Sequence, residues 1–215
     1  MITVKINGEE RQYPQGATYE DVANDYQKEY DNLIALAARD GKIRELFKKL
    51  TRDCEITFFT LKDDVGNKTY VRSATMLFLK AVFDVFGRET VQNCRVEFAI
   101  GNGSYISPKG KINATEENAA KIRNRMRELV EAKTPFLKRS YSLDNAMELF
   151  RKEGMKDKEK LFRYRRGSFV NIYEMDGYYD YYYGYMLPNA GYVKWFDVIA
   201  YEDGFMLLLP DKKNP

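Results

Sequence analysis

Ile2, Val4 and Ile6 alternate with polar residues and run straight into Asn7-Gly8. That dipeptide between two period-two runs is the strongest short hairpin signal a sequence can carry, and Glu10 to Tyr13 reads as the returning strand. Thr18 followed by Asp21 has the spacing of a capping box, opening a short helix with Val22, Ala23 and Tyr26 on one side. Leu33 to Ala38 reads as a strand, Asp40-Gly41 as a tight turn and Glu55 to Leu61 as a closing strand. A hairpin, a helix and further strands in so short a stretch predict a small α+β roll of ubiquitin-like type over residues 1–62. Lys62 to Asn67 reads as a polar joint to a second unit, residues 63–215.

The second unit mixes longer elements. Residues 69–86 predict a largely apolar helix (Val71, Met76, Leu77, Leu79, Ala81, Val82, Val85) stopped at Gly87. Val96 to Ile100 reads as a strand and Gly101-Asn102-Gly103 as its turn. Residues 115–132 form an amphipathic helix, and Phe136 to Tyr141 a strand. Ser142 caps a helix ending near Gly154. From Phe169 onward short β runs alternate with turns at Asp176-Gly177, Pro188-Asn189 and Glu202-Asp203-Gly204.

What such a chain can do is limited by what it lacks. None of its 215 residues is a histidine. This removes the one side chain that titrates near neutrality unaided, and with it imidazole-based zinc sites and Ser-His or Cys-His nucleophile systems. A formal net charge of +3 permits a polyanionic partner without demanding one. Cys54 and Cys94 sit far apart in apolar runs and read as buried free thiols. No apolar stretch approaches ~18 residues and the start has no signal-peptide pattern, so a cytoplasmic setting with no membrane contact is the expectation.

Several strings, in order, resemble the N-terminal half of threonyl-tRNA synthetase, a TGS domain followed by the editing-type domain shared with alanyl-tRNA synthetase. Asn7-Gly8…Tyr13 and Tyr19-Glu20-Asp21-Val22-Ala23 are similar to TGS. Ser73-Ala74-Thr75-Met76-Leu77-Phe78-Leu79-Lys80-Ala81 is similar to S-x-x-H-x-x-x-H-A, with Met76 and Lys80 at the histidine positions. Asp180 to Gly191 is similar to D-x-C-x-G-x-H-x-P-N-x-G, with Tyr182 at the cysteine and Met186 at the second histidine. The resemblance implies an α+β fold: a β-grasp TGS domain at 1–62, then a degenerate editing-like domain at 63–215. Two thioethers, an ammonium and a phenol make no divalent-metal site, so neither a metal nor a catalytic residue is expected.

The same pair of domains precedes a P-loop kinase in bacterial uridine kinase-like proteins. Arg72-Ser73 and Arg139-Ser140-Tyr141-Ser142 are similar to that group. No G-x-x-x-x-G-K-[ST] occurs here; the stretch from Gly103 to Lys111 has the wrong spacing. The resemblance therefore implies a downstream kinase domain in the same chain, with ATP and magnesium belonging to it alone.

Nearly half of the 17 tyrosines fall between Tyr173 and Tyr192. Alternate phenols of Tyr178 to Tyr185 either line the old cleft, with Asp180 accepting hydrogen bonds, or fill the volume a metal site has left. Lys80 can meet a substrate phosphate or carboxylate, or pair with Asp84 one helical turn on. Arg163, Arg165 and Arg166 form a basic-aromatic cluster with Tyr164, suited to phosphate or RNA, or a solvated connection. The basic residues of the helix from Thr115 are spread around it and offset by glutamates. Three functions follow: a ligand-sensing module binding nucleoside, nucleotide or phosphate through Met76, Lys80, Asp180, Tyr182 and Met186; an RNA-binding module; and a metal-free trans-editing hydrolase using Asp180 and Lys80.

Overall fold

A computed structural model describes residues 1–165 and 167–212. The opening hairpin pairs β1 (Ile2–Ile6) with β2 (Glu9–Tyr13), and Asn7 and Gly8 both take the positive φ values its two-residue turn requires. Helix α1 (Tyr19–Tyr26) starts on a reciprocal cap: the Thr18 hydroxyl accepts from Asp21 N, and the Asp21 carboxylate accepts from Thr18 N. With β3 (Ile34–Arg39), β4 (Lys42–Glu45) and β5 (Cys54–Thr60) the sheet order is β2-β1-β5-β3-β4, β1 and β5 running parallel. Alternation on β1 points Ile2, Val4 and Ile6 at Val22 and Tyr26 of α1, closing one core.

The expected polar joint is shorter than the sequence suggested. Asp64 to Asn67 already form the first turn of α2 (Asp64–Phe86), because Gly66 lets the helix start directly against the end of β5. A Cβ at Gly66 would sit on the Thr60 carbonyl oxygen, which is backbone and cannot move aside. Alanine is the better helix former by about 1 kcal/mol, yet the clash outweighs that gain. Gly66→Ala is expected to cost about 2 kcal/mol net, read as a lower denaturant midpoint at unchanged slope.

α2 is buried on nearly every side from Gly66 to Val82, the signature of a central helix. Around it come α3 (Arg88–Asn93), β6 (Arg95–Ile100), β7 (Gly103–Ser107) and α4 (Glu116–Glu131). Next are β8 (Leu137–Ser142), α5 (Leu143–Lys152), α6 (Lys156–Arg163), β9 (Phe169–Met175) and β10 (Tyr178–Asp180). The hairpin of β11 (Asp197–Tyr201) and β12 (Gly204–Leu208) follows. Two antiparallel sheets result, β11-β12-β7-β6 and β10-β9-β8. Phe78, Leu77 and Val82 of α2 share a core with Ile122 and Met126 of α4 and with Phe205 and Leu207 of β12.

Helices α3 and α6 were not expected. α6 hides in a run of charges, Lys156-Asp157-Lys158-Glu159-Lys160, and only Phe162 is buried. Arg163, read as part of a connection, is its last residue. Arg123 and Arg125 on α4 are held by Asp197 and by Asp84 and Glu128, so that helix offers no free basic stripe. Both cysteines are free, Cys94 buried and Cys54 half-buried. Among the described residues no helix is long and apolar enough to cross a membrane.

Candidate functional site

β10 carries the tyrosine run onto the second unit's core, and its alternation sorts the residues by face. Tyr178, Asp180 and Tyr182 face a cavity of about 350 Å³. Thr75 and Leu79 of α2, Val91 of α3, Cys94, and Lys158 of α6 are among its other lining residues. Asp180 is almost fully enclosed. Its Oδ1 lies 2.9 Å from Lys158 Nζ and accepts from Tyr181 N at 2.7 Å, and Tyr178 OH donates to Oδ2 at 3.4 Å. A buried carboxylate needs this much company to stay charged. Burial, and then the Asp180 charge, push the Tyr178 phenol well above its ordinary pKa of 10.

Tyr182 is the site's unsatisfied member. Its hydroxyl is enclosed and has no hydrogen-bond partner among the described residues, while burial and the nearby Asp180 carboxylate hold it protonated. A phenol that makes no bond contributes nothing by its oxygen. Tyr182→Phe is therefore expected to leave stability unchanged, or raise it, within about 1 kcal/mol, as measured by thermal unfolding. A loss well beyond that would reveal a partner for the hydroxyl.

The other three positions do not line this cavity. Met76 and Met186 are fully buried, and Met186 Sδ lies 3.9 Å from Ser73 Oγ. Ser73 donates to Thr69 O at 2.9 Å and accepts from Leu187 N at 2.9 Å, clamping the segment after β10 onto α2. Lys80 is 2% exposed and turned toward the β9–β10 turn. Its ammonium meets Asp84 Oδ1 and the Asp176 carbonyl at 2.7 Å each, and Asp176 Oδ2 at 3.3 Å. All three N–H groups are used, so Lys80 ties α2 to the sheet instead of facing a ligand. Lys80 and Asp180 serve different partners, which removes the geometry a metal-free hydrolase would need.

The one cysteine lining the cavity does not replace them. Burial pushes the Cys94 thiol up to about 12, so it is a neutral thiol at pH 7. Among the described residues no cluster of His, Cys, Asp and Glu could hold a metal ion.

The segment after β10 also walls a second concavity of about 320 Å³ on its other side. Lys138, Arg165 and Asn171 line it together with Tyr181 to Tyr185. Arg165 donates to Tyr181 OH at 2.6 Å and stacks over the Tyr181 ring at 5.4 Å. Tyr183 and Tyr164 are more than four-fifths exposed. Arg163 lies on the surface, 3.9 Å from Glu159, and Arg166 falls outside the described residues. Gly184 is needed here: its φ is 143° and a Cβ would collide with the Arg72 guanidinium.

Lys158 and Glu45 are the residues sequence reasoning missed. Lys158 is one lysine among alternating charges. Glu45 comes from β4 of the first unit, 3% exposed, and reaches into the second. It accepts from Tyr173 OH and from Met186 N at 3.2 Å, and pairs with Lys138 at 2.9 Å. Only the alternation Tyr178-x-Asp180-x-Tyr182 pointed toward the cavity.

A small β-grasp unit joined to a mixed α+β unit of two antiparallel sheets, its buried centre holding thioethers and phenols, defines the fold class. Comparison with curated proteins points to one group. The chain is 28% identical over 219 residues to the threonine–tRNA ligase of Thermotoga maritima, covering all of this chain and 32% of the ligase. It is 28% identical over 193 residues to that of Maricaulis maris (89% of this chain, 30% of the ligase). Against that of Carboxydothermus hydrogenoformans the identity is 25% over 201 residues (93% and 31%). The chain thus has distant full-length similarity to the N-terminal third of threonine–tRNA ligases, and its mixed α+β fold of several sheets agrees with their TGS and editing-type domains. It spans about a third of the length of the relatives it matches. No family model matches it.

Proposed function

We propose that this chain is a non-hydrolytic binding module whose cavity between α2, α6 and β10 takes a nucleoside or nucleotide. The observation that carries the reading is the cavity face itself, two phenols around the Lys158–Asp180 ion pair. Phenol rings offer a surface for a base, and the ion pair offers both a donor and an acceptor to ribose hydroxyls or phosphate. A thermal-shift screen with nucleosides, nucleotides and inorganic phosphate tests it. A ligand at about 100 times its Kd adds roughly 2.7 kcal/mol of stability, and Asp180→Asn should abolish the shift. No shift with any of these ligands overturns the reading.

The setting we propose is an accessory or sensing module of a uridine kinase-like protein, on the strings Arg72-Ser73 and Arg139 to Ser142. ATP and magnesium would serve the kinase domain and not this module. Reading the frame beyond Pro215 decides it, and a continuation without a P-loop kinase removes that parent.

RNA is the second reading, favoured by the basic-aromatic concavity of Lys138, Arg165 and Tyr181 to Tyr185. The relatives are named for tRNA, which makes a tRNA-like structure the natural probe. Filter retention that falls steeply with salt is the expected result, and no retention at low salt ends this reading.

A further inference from the structure

A groove of about 690 Å³ lies at the junction of the two units, a different place from the phenol-lined cavity. One wall is Phe47, Lys48 and Lys49, which follow β4. The other is the backbone of β8 from Leu137 to Arg139, with Lys133 nearby. β8 is the outer strand of its sheet. Phe136 N donates to Pro188 O just before it begins, and past that bond no described strand pairs with its outer edge. An open strand edge inside a groove is the arrangement that captures extended peptides.

The charges around it are one-sided. Lys138 and Arg139 are held by Glu45 and Glu174, but Lys48, Lys49 and Lys133 are exposed and have no ion-pair partner among the described residues. Glu20 is the one carboxylate in the lining.

We propose that this groove binds an extended acidic peptide segment, added as a further strand on β8 with its carboxylates on Lys48, Lys49 and Lys133. Two features favour a peptide over a nucleic acid. The strand edge alternates N–H and C=O groups at the spacing of a partner strand, a repeat that a sugar-phosphate chain does not match. The groove lining includes Phe47, Pro135 and Leu137, which suit alternate apolar side chains of a strand.

Fluorescence polarisation on the full chain tests this with a labelled peptide of about eight residues alternating Glu and Val. Saturable binding is expected, weakened about tenfold or more by the double variant K48E/K49E, whose exposed positions leave the fold intact by circular dichroism. N-methylation of alternate peptide amides should abolish binding, because it removes the strand's donors. Asp180→Asn should leave it unchanged, separating this site from the nucleotide cavity. The proposal is overturned if the acidic peptide fails to bind or if the N-methylated peptide binds as well. Oligouridylate binding through the same lysines in preference to the peptide would also overturn it.

Discussion

Stability is expected to stay flat from about pH 6 to pH 8 and then collapse above pH 10. The plateau follows from composition, since no histidine is present to titrate in that range. The collapse follows from the buried phenols. Burial pushes the pKa of Tyr70, Tyr173, Tyr178, Tyr182 and Tyr192 above the ordinary 10. Each folded-state phenol keeps its proton after the unfolded-state phenol has lost it. The folded state then binds more protons, so stability is fully present below pH 10 and lost as the pH rises past it. The two thiols act in the same direction and begin about one pH unit earlier, because burial raises Cys54 and Cys94 above their ordinary 9. One retained proton is worth about 1.4 kcal/mol per pH unit. Several phenols together can therefore exhaust an ordinary stability of about 5–15 kcal/mol between pH 10 and pH 12. Denaturant midpoints measured across pH 6–12 check this; a gradual decline beginning near pH 7 would contradict it.

How much of this was legible in the sequence depends on the range of the interaction. The Asn7-Gly8 hairpin, the Thr18–Asp21 cap and the Lys80–Asp84 pair span at most four residues, and each stands where its spacing pointed. The central helix was legible from its apolar run, but not its true start, because Gly66 is explained only by the Thr60 carbonyl against which it packs. The candidate site was legible only in part. Period two placed Tyr178, Asp180 and Tyr182 on one face. Nothing local showed that Lys80 would turn to Asp176, 96 residues away, or that Lys158 would complete the ion pair. Charged residues in a charged helix carry no pattern of their own, so such partners appear only once the chain is folded.

Glu45 is the extreme case, and its removal is expected to destabilise the fold more than Gly66→Ala or Tyr182→Phe. Its carboxylate is buried at the junction of the two units, taking the Lys138 ammonium, the Tyr173 hydroxyl and the Met186 amide. Those partners lie 93, 128 and 141 residues further along the chain. Glu45→Ala leaves a largely buried ammonium uncompensated and the Met186 N–H unpaired, with Gly184 O the acceptor that remains to the Tyr173 hydroxyl. Breaking a buried pair from one side costs about 3–5 kcal/mol. Glu45→Gln keeps the shape and the acceptor oxygen, so it should retain part of that energy while losing the charge. The substitution also acts at a distance. Tyr173 OH also lies 3.0 Å from Gly184 O, so the carboxylate meets both β9 and the segment after β10 that walls the concavity of Lys138 and Arg165. Amide exchange should therefore quicken around Gly184 to Leu187 in Glu45→Gln even where global stability is retained, because the Met186 amide then meets a neutral, weaker acceptor while Leu187 N keeps its bond to Ser73. Unchanged exchange in that segment, with a stability loss under about 1 kcal/mol for Glu45→Ala, would show that the two units are held together by their apolar contacts instead.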